Sequence, residues 1–205
     1  MLKSADEAIG KVQATIDKHK VSTNTLFLLI NDNGGATYAN SADNSPLRGY
    51  KGTLWEDGIR VPFVVQWDGQ LPAGTTYTKP VSSLDIFPTV LAAAGIDGPK
   101  NLELDGVNLI PYLSGENSSA PHTQLFWRWI NHNRAIRSGD WKLVTTEGKS
   151  EMLFNLVRDP AERKDLSKDQ QETVSRLKAE YEEWNSQLVE PAGVRQTSKG
   201  DSTAD

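Results

Sequence analysis

The chain has 205 residues and a formal net charge of −5, from 22 Lys and Arg against 27 Asp and Glu. That balance offers no basic stripe for nonspecific nucleic acid or an anionic membrane surface. No apolar run approaches the roughly 20 residues that span a bilayer. Cysteine is absent, which removes disulfides, thiolate metal sites and cysteine nucleophiles together.

From the N-terminus, Leu2, Ala5, Ile9, Val12 and Ile16 recur at helical spacing and predict an amphipathic helix. Ser4 and Glu7 have capping-box spacing, although that cap would start the helix inside its own stripe. His19, near the predicted end, suits the partial negative charge of a helix C-terminus. The opening MLKSADEAIGKVQ is charged and helical in pattern, so no secretory signal peptide is expected there.

Leu26 to Ile30 is an apolar run of the length expected for a strand buried on both faces. It stops at Asn31-Asp32-Asn33-Gly34-Gly35, so Asp32 and Asn33 stand at the carboxyl end of the strand, the rim where open α/β sheets bind ligands. Both carry hard oxygen donors of the kind Ca²⁺ or Mg²⁺ prefers. The competing reading is a plain turn, which the same residues favour. Lys51, in Arg48-Gly49-Tyr50-Lys51-Gly52, is a compact cation on a glycine-flanked loop, suited to an anionic oxygen. Asp43 and Asn44, in the polar loop between, are either further ligands or solvated turn residues. Arg48 and Arg60 are candidates to brace the loop through carboxylates such as Glu56.

Val61 to Trp67 reads as the next strand, with Pro62 at its start, where a missing N–H does least harm. Val81 to Gly95 reads as a helix unit with Asp85 as N-cap, Pro88 in the first turn and Gly95 as the stop. Ser114 to Pro121 is the best linker candidate. Beyond it, Leu125–Ile130, Arg134–Arg137, Trp141–Thr145 and Met152–Leu156 predict short strands, and the Ser138-Gly139-Asp140 turn predicts an antiparallel meander. Val174, Leu177, Tyr181, Trp184 and Leu188 mark a final amphipathic helix. Polar and small residues after Pro191 predict a disordered tail. His122 and His132, ten residues apart, have no zinc-like spacing. Trp127 and Trp129 alternate on one strand, either as packing residues or as a contact for a sugar or aryl ring.

Taken together, LINDNGG and PLRGYKGTLWEDGIRVPFVVQWDG resemble the sulfatase family of the alkaline-phosphatase-like superfamily. The family pattern is a strand, then S-D-N-G, then P-L-R-G-x-K-G-T-x-W-E-G-G-x-R-V-P. Asn31 replaces the usual Ser and Asp57 the usual first Gly. Further stretches, SSLDIFPT with LAAAG, LDGVNLIPYLSG, RAIRSGDWKLV and LFNLVRDPAERKDL, are similar to later parts of the family. The resemblance implies an α/β fold: part of an alkaline-phosphatase-like three-layer sheet over residues 1–115, then a small antiparallel-sheet-plus-helix subdomain over 121–190, and a tail over 191–205. It also implies that Asp32 and Asn33 are ligands of an active-site Ca²⁺ and that Lys51 contacts the sulfate of a sulfate ester. Family members are often periplasmic, secreted or lysosomal.

Most members make a formylglycine nucleophile from Cys or Ser in a C/S-x-P/A-x-R motif, and this chain contains neither Cys nor Ser-x-Pro/Ala-x-Arg. The family's early pair of metal-binding aspartates has no matching segment here either. The expectation is therefore the C-terminal portion of a Ca²⁺-dependent sulfuric ester hydrolase, inactive alone, with Ca²⁺ bound weakly or not at all. A second reading is a noncatalytic anion- or partner-binding module that completes a separate N-terminal half; the cut sheet predicts self-association or such a complementary chain. A third is a phosphodiesterase or phosphomutase of the superfamily. Those carry Asp-His where this chain has Asp32-Asn33, so Asn33 speaks against a two-metal phosphatase.

Overall fold

A computed structural model describes residues 2–39, 42–43, 45–129, 132–146 and 150–189. Asn44, Ile130 and the predicted tail from Pro191 on lie outside the described residues.

Helix α1 spans Leu2–Lys18 and buries no residue. Its contact stripe is narrower than the apolar pattern predicts: Ile9, Gln13 and Ile16 are half-buried, whereas Leu2, Ala5 and Val12 face outward. Gln13 donates to Gln66 Oε1 at 3.1 Å and so ties the helix to the first strand pair. Because the helix already runs at Leu2, Ser4 lies inside it and cannot cap it.

Strand β1, Phe27–Ile30, pairs antiparallel with β2, Phe63–Gln66. All four β1 residues are half-buried, not buried on both faces as the unbroken apolar run suggests. Two strands cover only one edge of each other, so neither face nor outer edge of this pair is closed by further strands among the described residues. In β2 the burial alternates, with Val64 49% exposed. The short helix α2, Glu56–Ile59, lies between these strands in sequence.

Helix α3, Ile86–Ala93, stops where predicted: Ala94 is its C-cap and Gly95 adopts φ 67°, open to glycine without a Cβ penalty. Asp85 precedes it but makes no side-chain cap to it. Its buried carboxylate instead accepts from the Ser82 amide, 2.7 Å, and the Val107 amide, 2.9 Å, and lies 2.8 Å from His122 Nε2. Thr89 Oγ1 accepts from the Leu109 amide at 2.9 Å. These bonds fold the Asp105–Leu109 segment and the short helix α4, Ile110–Leu113, back onto α3.

The meander is as predicted. Strands β3 (Gln124–Arg128), β4 (Arg134–Ser138), β5 (Trp141–Thr145) and β6 (Met152–Asn155) form one antiparallel sheet in sequence order. Period-2 alternation gives the sheet two packing faces. One carries Phe126, Ile136, Leu143 and Leu153 and packs on helix α5, Gln171–Ser186, through Val174, Leu177, Tyr181 and Trp184. Phe126 and Trp184 stack with ring centroids 4.8 Å apart, a contact worth about 1 kcal/mol beyond its area. The other face carries Trp127, Ala135, Val144 and Phe154, and packs against Leu54, Trp55 and Ile59. The segment that precedes and enters α2 is thus the layer opposite α5.

Candidate functional site

Three stretches of backbone meet at the end of β1. The Asn31 amide donates to Pro62 O at 3.2 Å, the Gly34 amide to Gly58 O at 3.3 Å, and the Lys51 amide to Gly35 O at 3.1 Å. The last of these brings the Lys51 loop alongside the Asp32–Gly35 turn, although Lys51 stands sixteen positions after Gly35 in sequence. A Cβ on Gly34 would stand 1.7 Å from Asp57 O, and one on Gly58 would stand 2.1 Å from Thr53 O. Both glycines are therefore demanded by close backbone approach rather than by turn propensity. Gly49 and Gly52 hold φ of 105° and 87°, so the loop bearing Lys51 turns sharply on either side of it.

Asp32 and Lys51 are exposed and Asn33 is half-buried. Asn33 Nδ2 donates to Asp32 Oδ1 at 2.9 Å. A carboxylate only accepts, so the amide nitrogen is committed to Asp32 and the atom Asn33 can offer a cation is Oδ1. As donors for a hard divalent cation, the Asp32 carboxylate and the Asn33 carboxamide oxygen fit in kind. They fit in part by number: Ca²⁺ takes about six to eight oxygens, and among the described residues no group of three or more His, Cys, Asp and Glu side chains could hold a metal. Asp43 behaves as a turn residue. The Ser45 side chain and amide hold its carboxyl below the usual range, and its Oδ1 accepts the Ser45 amide at 3.0 Å.

Part of the loop's support comes from Lys142 and Glu162, which the sequence reading did not single out as bracing residues. Lys142, fully buried on β5, donates to Glu56 Oε1 at 2.9 Å and pairs with Glu162 Oε1 at 2.8 Å. Glu162 is itself fully buried, and its Oε2 accepts the Glu56 amide at 2.7 Å. Burial pushes the Glu162 carboxyl up, against the attraction of Lys142. Arg60 reaches Glu56 at 3.8 Å, as expected of a bracing arginine. Arg48 does not: its guanidinium lies 3.6 Å over the Trp55 ring and donates to Glu162 O at 3.0 Å. A lysine inside the otherwise apolar Trp141–Val144 run was the visible signal for this cluster, because a charge there demands partners. For Glu162 the sequence offered only its place in the family-like stretch LFNLVRDPAERKDL.

His122 belongs to the Asp85 pin, and His132 has φ 59° in the turn between β3 and β4. Trp127 packs on the Leu54–Trp55 face, whereas Trp129 is 49% exposed. No described helix is long and apolar enough to cross a membrane.

The strand that ends in Asp-Asn-Gly-Gly stands beside a lysine loop, and an antiparallel meander with one helix follows in the chain. Two family profiles match, described as Sulfatase over residues 1–96 and N-sulphoglucosamine sulphohydrolase, C-terminal over residues 50–187. The chain belongs to the sulfatase family and corresponds to a C-terminal portion of it. Steryl-sulfatase of Rattus norvegicus is 31% identical, over 79% of this chain and 35% of the relative. N-acetylgalactosamine-6-sulfatase of Homo sapiens is 30% identical, over 92% of this chain and 43% of the relative. The crystal structure of Ps i-CgsB, 31% identical, superposes with a TM-score of 0.85 over 94% of this chain and 43% of that one. The PsFucS1 sulfatase from Pseudoalteromonas sp. superposes with a TM-score of 0.77 at 23% identity, a likeness of fold alone. The fold is accordingly α/β and alkaline-phosphatase-like, and the chain spans about two-fifths or less of the length of these relatives.

Proposed function

We propose that this chain supplies one wall of a sulfuric ester hydrolase site, with Lys51 contacting the sulfate and Asp32 and Asn33 as part of a Ca²⁺ ligand set. The observation that carries the proposal is the Lys51 amide bonded to Gly35 O, which seats the lysine loop beside the two oxygen-bearing residues. Calcium bound there would neutralise charge on the sulfate oxygens. Asp32 would ligate through its carboxylate, Asn33 through Oδ1, and the Asn33 amide bond to Asp32 would hold the carboxylate's orientation. Lys51 would add a point charge to an anionic oxygen.

Two ligands leave most of a Ca²⁺ shell to water, so binding by this chain alone is expected at the millimolar end of protein sites. Without Cys or a Ser-x-Pro/Ala-x-Arg motif in the 205 residues, the chain alone has no covalent route through a formylglycine. The names of the relatives share a sulfate ester and differ in what bears it, a sterol or an amino sugar, so the substrate is proposed at the level of the ester. The same reading treats residues 1–115 and 121–190 as two units. The test is 4-nitrophenyl sulfate turnover by the purified chain with and without Ca²⁺. No turnover is expected in either case, and a rate abolished by both Asp32→Ala and Lys51→Ala would show a nucleophile within this chain.

A second reading has its own support: a noncatalytic module that completes a separate chain. Leu84, Phe87 and Val90 are 58%, 52% and 42% exposed along and before α3, and the β1–β2 pair has open edges among the described residues. Such surfaces mark association.

A further inference from the structure

Lys51 lies between Arg48 and Glu56, and both of those residues are bonded to the same distant residue. Arg48 Nη1 donates to Glu162 O at 3.0 Å, and the Glu56 amide donates to Glu162 Oε2 at 2.7 Å. One residue of the loop after β6 therefore holds the Lys51 segment at both ends. The segment also folds on itself: just past Glu56 the Asp57 amide donates to Arg48 O at 2.9 Å, and within the loop the Thr53 amide donates to Tyr50 O at 3.0 Å. The closed loop then presents the Lys51 amide to Gly35 O.

Glu162 is built to do this. It is fully buried and holds a left-handed φ of 53°, which a side chain with a Cβ adopts only when its surroundings enforce it. The surroundings are visible. Asp159 O accepts the Glu162 amide at 3.2 Å, while Asp159 Oδ2 accepts the Arg163 and Lys164 amides at 2.7 and 2.8 Å. Downstream, Asp165 Oδ1 accepts the Leu153 amide at 3.0 Å, anchoring the loop to β6. Lys142 supplies the charge that permits a carboxylate at this depth.

We infer that Glu162, neutralised by Lys142, is a positioning residue that sets the Lys51 loop against the Asp32–Gly35 turn. The inference rests on the reading of Lys51 as the sulfate contact, and it makes the meander part of the site's architecture. The anion-binding lysine of one unit is then registered by a carboxylate of the other.

The test uses the whole 205-residue chain, with amide hydrogen exchange and inorganic sulfate as probe. Glu162→Gly deletes the carboxylate and removes the left-handed penalty. It leaves Lys142 paired with Glu56, so no buried charge is stranded. Glu162→Gln keeps an oxygen acceptor for the Glu56 amide. The expected result is at least about tenfold faster exchange of the Lys51 amide in Glu162→Gly, recovery in Glu162→Gln, and unchanged protection at β4. Unchanged Lys51 protection in Glu162→Gly would overturn the inference, as would equal loss of protection at Lys51 and β4. A sulfate titration followed at the Lys51 and Gly52 amides tests the underlying reading separately. Sulfate-induced shifts that weaken in Glu162→Gly and return in Glu162→Gln support both. If the native chain shows no shifts, the sulfate reading fails, while the exchange result still decides the clamp.

Discussion

Lys142→Met is the sharpest perturbation of the buried cluster. It removes the one ammonium between two carboxylates that are almost wholly shielded from water, Glu56 at 3% exposure and Glu162 at 0%. Methionine fills nearly the same volume, so the cost is electrostatic rather than a cavity. Arg60, 3.8 Å from Glu56 and more than half exposed, recovers little of it. Breaking a buried pair by deleting one partner costs about 3–5 kcal/mol, which for a chain of this size lowers Tm by roughly 6–20 °C. Urea denaturation of native and variant chains measures it directly. The pH dependence has a definite sign. Burial holds the Glu162 carboxyl above its ordinary value and Lys142 opposes that rise. Without Lys142 the folded-state value climbs further. A carboxyl raised in the folded state destabilises above that value, and the penalty fades as pH falls toward the unfolded value. The Lys142→Met deficit should therefore shrink between pH 7 and pH 5. Adding Glu162→Gln to Lys142→Met should recover part of it. A deficit under about 1 kcal/mol at pH 7, or one that grows on acidification, would refute this reasoning.

Gly34→Ala should cost about 3 kcal/mol, the upper end for forced overpacking, because its Cβ would overlap Asp57 O; a denaturation midpoint equal to the native one would contradict the close approach. Glu151 has the opposite pH sense to Glu162: hydrogen bonding to Lys178, ahead of burial that opposes it, lowers its pKa, with Arg134 adding to the effect. Its contribution is present above the usual carboxylate value and lost as pH falls through the lowered one, so Glu151→Gln should flatten the acid limb of stability below about pH 4.5; an unchanged limb would count against it. Light scattering should show the isolated chain self-associating through the strand edges left open among the described residues and the Leu84–Phe87–Val90 surface, and a compact monomer at high concentration would count against that.

The meander and α5 were legible because their signals are local: period-2 runs bounded by Ser138-Gly139-Asp140, then apolar residues at helical spacing. The Asp32-Asn33-Gly34 turn and the Lys51 loop were legible as a long specific string. Other features depend on contacts across large sequence separations. Leu26–Ile30 looked fully buried because pattern reports apolarity, whereas burial depends on how many strands surround β1, and among the described residues only β2 does. Asp85 looked like a helix cap because its position fits one, yet Val107 and His122, both distant in sequence, hold its carboxylate. Glu162 lies within the family-like stretch LFNLVRDPAERKDL, but only the fold places it between Arg48 and Glu56.

The central claim is that Asp32, Asn33 and the Lys51 loop form one ligand-binding corner. A Ca²⁺ titration of the isotope-labelled chain, followed at individual backbone amides, tests it most directly. The expected result is a saturable shift centred on Asp32, Asn33, Gly34 and Gly35, extending to Lys51 through its bond to Gly35, with a millimolar midpoint and loss in Asp32→Ala. Shifts scattered over exposed carboxylates such as Asp43 and Glu172, and unaltered by Asp32→Ala, would contradict it.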